Sequence, residues 1–196
     1  MTIDMRTKPT LVGERVILRP VSADDADGLL DLVSDAEGNR LTGTQGLDLS
    51  PEAARAWYGS RGEQDDRIDL AVVDRATGEY AGEVVLNELD RDNRSCNFRI
   101  GLRPAFQDRG LGSEATRLIL DHAFAIGLHR VGLEVYAFNP RARRVYERAG
   151  FVHEGARRDA LLWDGEWTDA IVMSVLETDP RSRGQAAEPG ADEEQQ

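Results

Sequence analysis

Arg99–Gly112, read as RIGLRPAFQDRGLG, decides how this chain folds. It begins as a strand, breaks at Pro104, and puts Gln107, Gly110 and Gly112 into a turn. An amphipathic helix follows at once, because Leu111, Ala115, Leu118, Ile119, His122 and Ile126 fall on one face at spacings of three and four. The first turn of a helix has backbone N–H groups without internal partners, and its dipole favours an anion. Glycines there let the backbone approach an oxygen-rich ligand, since no Cβ intervenes. Two common phosphate motifs fail on the letters. A P-loop needs Lys and then Ser or Thr after its last glycine, and Gly112 is followed by Ser113-Glu114. A dinucleotide fingerprint needs G-x-G-x-x-G, and only Gly110-Leu111-Gly112 is present. What remains is Q-x-x-G-x-G between a strand and a helix. It reads either as a phosphate cradle or as a glycine-dependent turn.

Working back from this turn, the chain alternates strands and helices. Residues 1–9 read as a polar, flexible arm. Glu14–Pro20 reads as a strand, and Ser22 as the cap of a helix with Asp24 and Asp25 in its first turn. Asn39–Leu49 reads as a loop. Ser50-Pro51 opens another helix, packed down by Trp57 and Tyr58. Ile68–Asp74, Tyr80–Leu89 and Cys96–Leu102 form a meander. Beyond the glycine turn and its helix, His129–Phe138 is a strand. Strand, helix, strand over this length is a βαβ unit with two parallel strands. Asn139-Pro140 caps a short helix to Ala149, and Phe151–Leu162 with Trp167–Leu176 makes a hairpin around Asp164-Gly165. Residues 179–196 are rich in charge, Gln and Gly, which predicts a disordered acidic tail. The folded domain is therefore expected over residues 10–178.

The chain carries a formal net charge of -12 in 196 residues. That balance argues against nucleic-acid binding, which needs a basic face to displace counterions. It suits a cationic substrate, or serves solubility alone. The single Cys96 excludes an internal disulfide, and three scattered histidines predict no metal site. No apolar run is long enough to cross a membrane and no secretory leader is evident, so the expected compartment is the cytoplasm.

Four stretches in one order carry a resemblance. They are GERVILRPVSADDADGLL near the start, IGLRPAFQDRGLGSEATRLILDHAF, HRVGLEVYAFNPRARRVYERAGFVHEG, and WDGEWTDAIVMSVL at the end. Together they resemble the GNAT superfamily of acetyl-CoA-dependent N-acetyltransferases. The nearest group within it holds the RimJ/RimL ribosomal-protein acetyltransferases and the spermidine acetyltransferases. The resemblance implies an α/β fold. A bent, mostly antiparallel sheet of about seven strands would carry helices on both faces, and a central parallel pair would splay to admit acetyl-CoA. It implies that backbone N–H groups from Gln107, Asp108, Arg109, Gly110, Leu111, Gly112 and Ser113 hold the pyrophosphate. Ile100, Gly101 and Leu102 would pair with the pantetheine arm, and one N–H there would hold the thioester carbonyl. Asn139 and Tyr146 match positions that touch the arm and the sulfur. The likeness is mixed: Tyr146 matches the spermidine type, whereas Asn97 stands where that type has a carboxylate.

Each of these residues also has a plainer reading. Asn139 before Pro140 is a good helix cap. Tyr146 lies beside Ala142, Val145 and Ala149 and suits packing, but a phenol also suits returning a proton to a departing thiolate. The attacking amine must lose a proton, and Glu83, Glu88, Asp90 and Asp159 are candidate bases. Glu88 best fits the spermidine-type pattern. Glu83 and Glu88 should face opposite ways unless a bulge intervenes. Arg141, Arg144 and Arg148 share a helix face and suit either a CoA phosphate or solvent. His122 reads as a core residue.

The leading expectation is acetyl transfer to a primary amine: a protein N-terminus, a polyamine or another small amine. A CoA-sensing domain without turnover, or a structural partner protein that binds neither substrate, is the competing class. Trp163 and Trp167 are positioned to serve a homodimer contact.

Overall fold

The computed structural model describes residues 3–180; most of the expected acidic tail, and residues 1–2, lie outside the described residues. Eight strands form one sheet in the order β1-β2-β3-β4-β5-β6-β8-β7. They are β1 (Leu11–Val12), β2 (Val16–Pro20), β3 (Ile68–Asp74), β4 (Tyr80–Asp90), β5 (Ser95–Leu102), β6 (Arg130–Tyr136), β7 (Val152–Trp163) and β8 (Glu166–Leu176). All neighbours are antiparallel except β5 and β6. The mixed α/β fold agrees with expectation; the additional strand is β1, two residues long.

Helices cover both faces. One face carries α4 (Leu111–Ala125) and α5 (Pro140–Arg148). The inward residues of α4, among them Leu111, Ala115 and Ile119, meet Val16, Leu70 and Phe98 in the main core. Each large side chain fully buried there contributes roughly 1.5–3 kcal/mol. The other face carries α1 (Ala26–Ser34), α2 (Ala36–Thr42) and α3 (Pro51–Gly59). Its smaller core gathers Leu29, Ala54, Tyr58 and Val73. Among the described residues no helix is long and apolar enough to cross a membrane.

Local signals held in several places. Ser50 Oγ accepts from Ala53 N–H at 3.2 Å with Pro51 in the first turn of α3. The β7–β8 turn puts Asp164 at φ 49 and Gly165 at φ 83, the left-handed pair that a tight hairpin requires. Three expectations are corrected. Asn39–Leu49 does not form a loop throughout, because α2 runs to Thr42. Asp35 caps that helix by accepting from Gly38 N–H, and Gly43 ends it at φ 68. Residues 3–9 are not a loose arm, since Ile3 and Met5 are 5% and 1% exposed in the main core. Lys8 Nζ also donates to the carbonyls of Met5, Gln64 and Arg67. Trp57 does not pack α3 down: it is 48% exposed, beneath the Arg61 guanidinium, and Tyr58 makes the buried contact instead.

Candidate active site

Strands β5 and β6 pair over only three residues, Ser95–Asn97 against Arg130–Gly132. Beyond that point β5 continues on β4 to Leu102, while β6 continues on β8 to Tyr136. The parallel pair therefore splays. Arg103 N–H donates to Ala81 O on β4 at 2.8 Å. Peptide groups along a strand alternate in direction, so those of Leu102, Ile100 and Phe98 turn away from β4 and into the gap. On one side the gap is roofed by the helical face. Leu32 of α1 leans over Gly101, 3.3 Å from where a Cβ would stand, and Gly43 sits against the Tyr136 hydroxyl.

The glycine turn lies at the outer end of β5. Gln107 closes it: its Nε2 donates to Leu102 O at 3.0 Å, and its own N–H donates to Pro104 O at 3.2 Å. The expected cradle is therefore shortened by one group, because the Gln107 N–H is already committed. From Asp108 to Ser113 the backbone N–H groups have no acceptor among the described residues. Asp108 and Gly110 adopt φ 60 and φ 79, which curls the chain around them. At Gly110 the backbone favours glycine, since a Cβ would be strained at that φ; the Arg15 guanidinium, which such a Cβ would meet, is the flexible end of an exposed side chain. The flanking charges are tied back: Asp108 pairs with Arg141 of α5 at 2.7 Å, and Arg109 with the buried Asp74 at 2.7 Å. The result is a fan of donors at the positive end of α4, suited to a diphosphate.

Glu114, one turn into α4, was not legible as anything but an exposed acid. It is 8% exposed, and its two oxygens accept from Glu14 N–H at 2.5 Å and Arg15 N–H at 2.9 Å. It therefore pins the entry to β2 against the head of α4. The Gly13 position is tight for the same reason, since a Cβ would lie 2.5 Å from Glu114 Oε1.

Asn139 caps α5, its Oδ1 accepting from Ala142 N–H at 3.0 Å. Tyr146 points from α5 toward β5, edge-on to Phe98 (6.1 Å between centroids) and to Phe151 (5.8 Å). Its hydroxyl has no hydrogen-bond partner among the described residues, and burial pushes its pKa up to about 12. On β4, the register with β5 slips between Asn87 and Asp90, where Glu88 has φ 54. That bulge is the one exception that the alternation argument allowed. Glu88 stands exposed at it, with no hydrogen-bond partner among the described residues. Asp90 is exposed and bonded within its own turn to Asn93, and Asp159 lies out on β7. Glu83 faces α3, where Tyr58 donates to its Oε2 at 2.6 Å. His122 lies on the buried side of α4, where burial lowers its pKa. In the basic helix, Arg143 pairs with Glu147 at 2.9 Å and only Arg141 reaches the turn.

A splayed parallel pair beside an unpartnered N–H fan leaves a cleft in the sheet that ends at an anion-binding turn. The acetyltransferase (GNAT) domain family matches residues 15–152, and the chain belongs to that family. It is 30% identical over 113 residues to the spermidine N(1)-acetyltransferase of Escherichia coli K12, an alignment covering 57% of this chain and 61% of that enzyme. The chain thus spans less than two thirds of that relative's length. It is also 30% identical over 125 residues to the [ribosomal protein bS18]-alanine N-acetyltransferase of Salmonella typhimurium, covering 64% of this chain and 80% of that enzyme. Among solved structures, spermidine N-acetyltransferase from Vibrio cholerae in complex with CoA and spermine superposes with a TM-score of 0.78. That match is 24% identical and covers 84% of this chain and 97% of the other, a likeness of fold.

Proposed function

We propose that the protein is an N-acetyltransferase that moves an acetyl group from acetyl-CoA to a primary amine by direct attack. The observation that carries this reading is the gap between β5 and β6, which the peptide groups of Phe98, Ile100 and Leu102 face and which ends at the N–H fan of Asp108–Ser113. Acetyl-CoA supplies the activated acetyl group as a thioester. The fan holds the diphosphate, and the Ile100–Leu102 stretch of β5, with Gly101 between, pairs with the amides of the arm. An N–H directed into the gap stabilises the charge that grows on the carbonyl oxygen. Asn139 orients the start of α5, which brings Tyr146 to the sulfur as general acid. A carboxylate of β4, Glu88 or Glu83, takes the proton that the amine must lose.

The acceptor is a single amine, a peptide N-terminus or a small molecule, rather than a polyamine. Arg99 is exposed on the roofed side of β5, two residues from Gly101, with Asn97 beyond it. A cation there opposes a polycationic acceptor. A homodimer, if formed, would use the β7–β8 hairpin, where Trp167 is 61% and Leu162 43% exposed.

Thiol release from acetyl-CoA, followed with spermidine, aminoglycosides and peptides bearing free N-termini, tests the reading. Turnover is expected with at least one single-amine acceptor and is weaker with spermidine. Thermal stabilisation by acetyl-CoA without turnover of any amine would favour a CoA-sensing role instead. One variant checks the cradle. Arg141→Ala leaves the Asp108 carboxylate unopposed beside the fan, so KM for acetyl-CoA should rise about threefold, the worth of one screened charge at a helix N-terminus, with kcat held. Steady-state kinetics at varied acetyl-CoA would show it.

A further inference from the structure

Glu83 is a part-buried acid that the fold does not need as an acid. Tyr58 of α3 donates to its Oε2 at 2.6 Å, and the Tyr58 and Tyr80 hydroxyls lie 2.7 Å apart. A glutamine would anchor α3 equally well through its amide oxygen. The other carboxylate oxygen, Oε1, has no protein partner among the described residues, and the side chain is only part-buried. One oxygen is thus fixed and the other left free.

Its place in the sheet gives that free oxygen a use. Glu83 pairs across the strands with Gly101 of β5, on the roofed face of the gap. Gly101 puts no side chain of β5 between the carboxylate and the gap. Leu32 of α1 fills part of the space above Gly101. Glu88, in the register slip between the Asn87–Asn97 and Asp90–Ser95 pairs, is exposed at its bulge and has no hydrogen-bond partner among the described residues. We propose that Glu83, oriented by Tyr58, is the proton acceptor for the attacking amine, directly or through one water. The proposal rests on the acetyltransferase reading above.

The protons balance as follows. The bound ammonium gives one proton to the Glu83 carboxylate, which becomes a neutral acid and later returns it to solvent. The freed nitrogen pair forms the C–N bond, and the C–S bond breaks with its electrons on sulfur. Tyr146 gives its hydroxyl proton to the sulfur and recovers the nitrogen's second proton. Groups whose charge reaches Glu83 come from every side: Tyr58 of α3, Tyr80 of β4, Asp69 of β3, Arg67 just before β3, Arg61 just after α3, and Arg99 of β5. Burial raises the proton affinity of Glu83, and the Tyr58 hydrogen bond lowers it.

The experiment compares the pH dependence of kcat for wild type, Glu83→Gln, Glu88→Gln and Tyr58→Phe. The probes are peptides with free N-termini and n-butylamine, at saturating acetyl-CoA. Glu83 must be ionised to act, so activity falls as pH drops through its pKa. Glu83→Gln should lower kcat about 10²-fold at pH 7 and abolish that acid limb, with acetyl-CoA affinity unchanged. Tyr58→Phe removes a bond that favours the ionised form, so the limb should move to higher pH; a purely structural tyrosine would lower stability without moving it. Retention of the limb in Glu83→Gln, or its loss in Glu88→Gln instead, would overturn the proposal. If wild type acetylates none of these amines, the acetyltransferase reading fails first and the proposal falls with it.

Discussion

Tyr146→Phe should lower kcat about 10³-fold and leave acetyl-CoA affinity within about twofold, within the range for loss of a positioned general acid. The phenylalanine ring keeps the edge contacts with Phe98 and Phe151, so the core between α5 and β5 stays filled. Only the hydroxyl goes. That hydroxyl has no partner among the described residues, which leaves it free to face a sulfur lodged between β5 and α5. Burial raises its pKa to about 12, so it carries its proton at every pH at which the enzyme would be assayed. The hydroxyl gives its proton to the sulfur as negative charge builds there. The tyrosinate left behind is then basic enough to strip the new amide nitrogen, which resets the group. Steady-state kinetics and acetyl-CoA binding, measured side by side, check the split. A variant with wild-type kcat would reduce Tyr146 to a packing residue.

Glu114→Ala should lower the melting temperature by about 8 °C. Each charge-assisted bond to a backbone N–H is worth roughly 1.5–3 kcal/mol, and removing this carboxylate strands two donors in a poorly solvated place. A net loss of about 3 kcal/mol moves the midpoint of a chain this size by about 6–12 °C. The damage should also reach the cradle, since Arg15, held through its N–H, lies against Gly110. Glu114→Gln keeps one acceptor but turns an amide donor toward the second N–H, so it should fall between wild type and alanine. Thermal unfolding of the three proteins tests the ordering. An unchanged midpoint in the alanine variant would mean that water replaces the carboxylate.

Elements with strong local signals were legible in the letters. The glycine turn, the apolar face of α4, the Ser50-Pro51 cap and the Asp164-Gly165 hairpin each depend on residues close together in the chain. The resemblance named the family that the match over residues 15–152 establishes. What escaped the sequence depends on distant partners. Residues of α2 read as loop because that helix buries none of its residues and is held by its caps. Ile3 and Met5 read as part of a polar arm because nothing local says that a core waits for them. The bulge at Glu88 cannot be counted in advance, because it appears only in the register with β5. Glu114 looks like an ordinary surface acid and Glu83 like one of several candidate bases, and only the approach of the β2 entry and of Tyr58 shows what each carboxylate holds.

The most direct test of the account is an amide 1H–15N titration of the labelled protein with CoA. The signals of Asp108–Ser113 should move most, followed by those of Phe98, Ile100 and Leu102 along the gap. Another hollow, of about 540 Å³ between Asn39–Gly46 and Leu162–Gly165, offers an alternative. Shifts confined to it, with the glycine turn and β5 unmoved, would contradict the placement of the cosubstrate on which the whole reading stands.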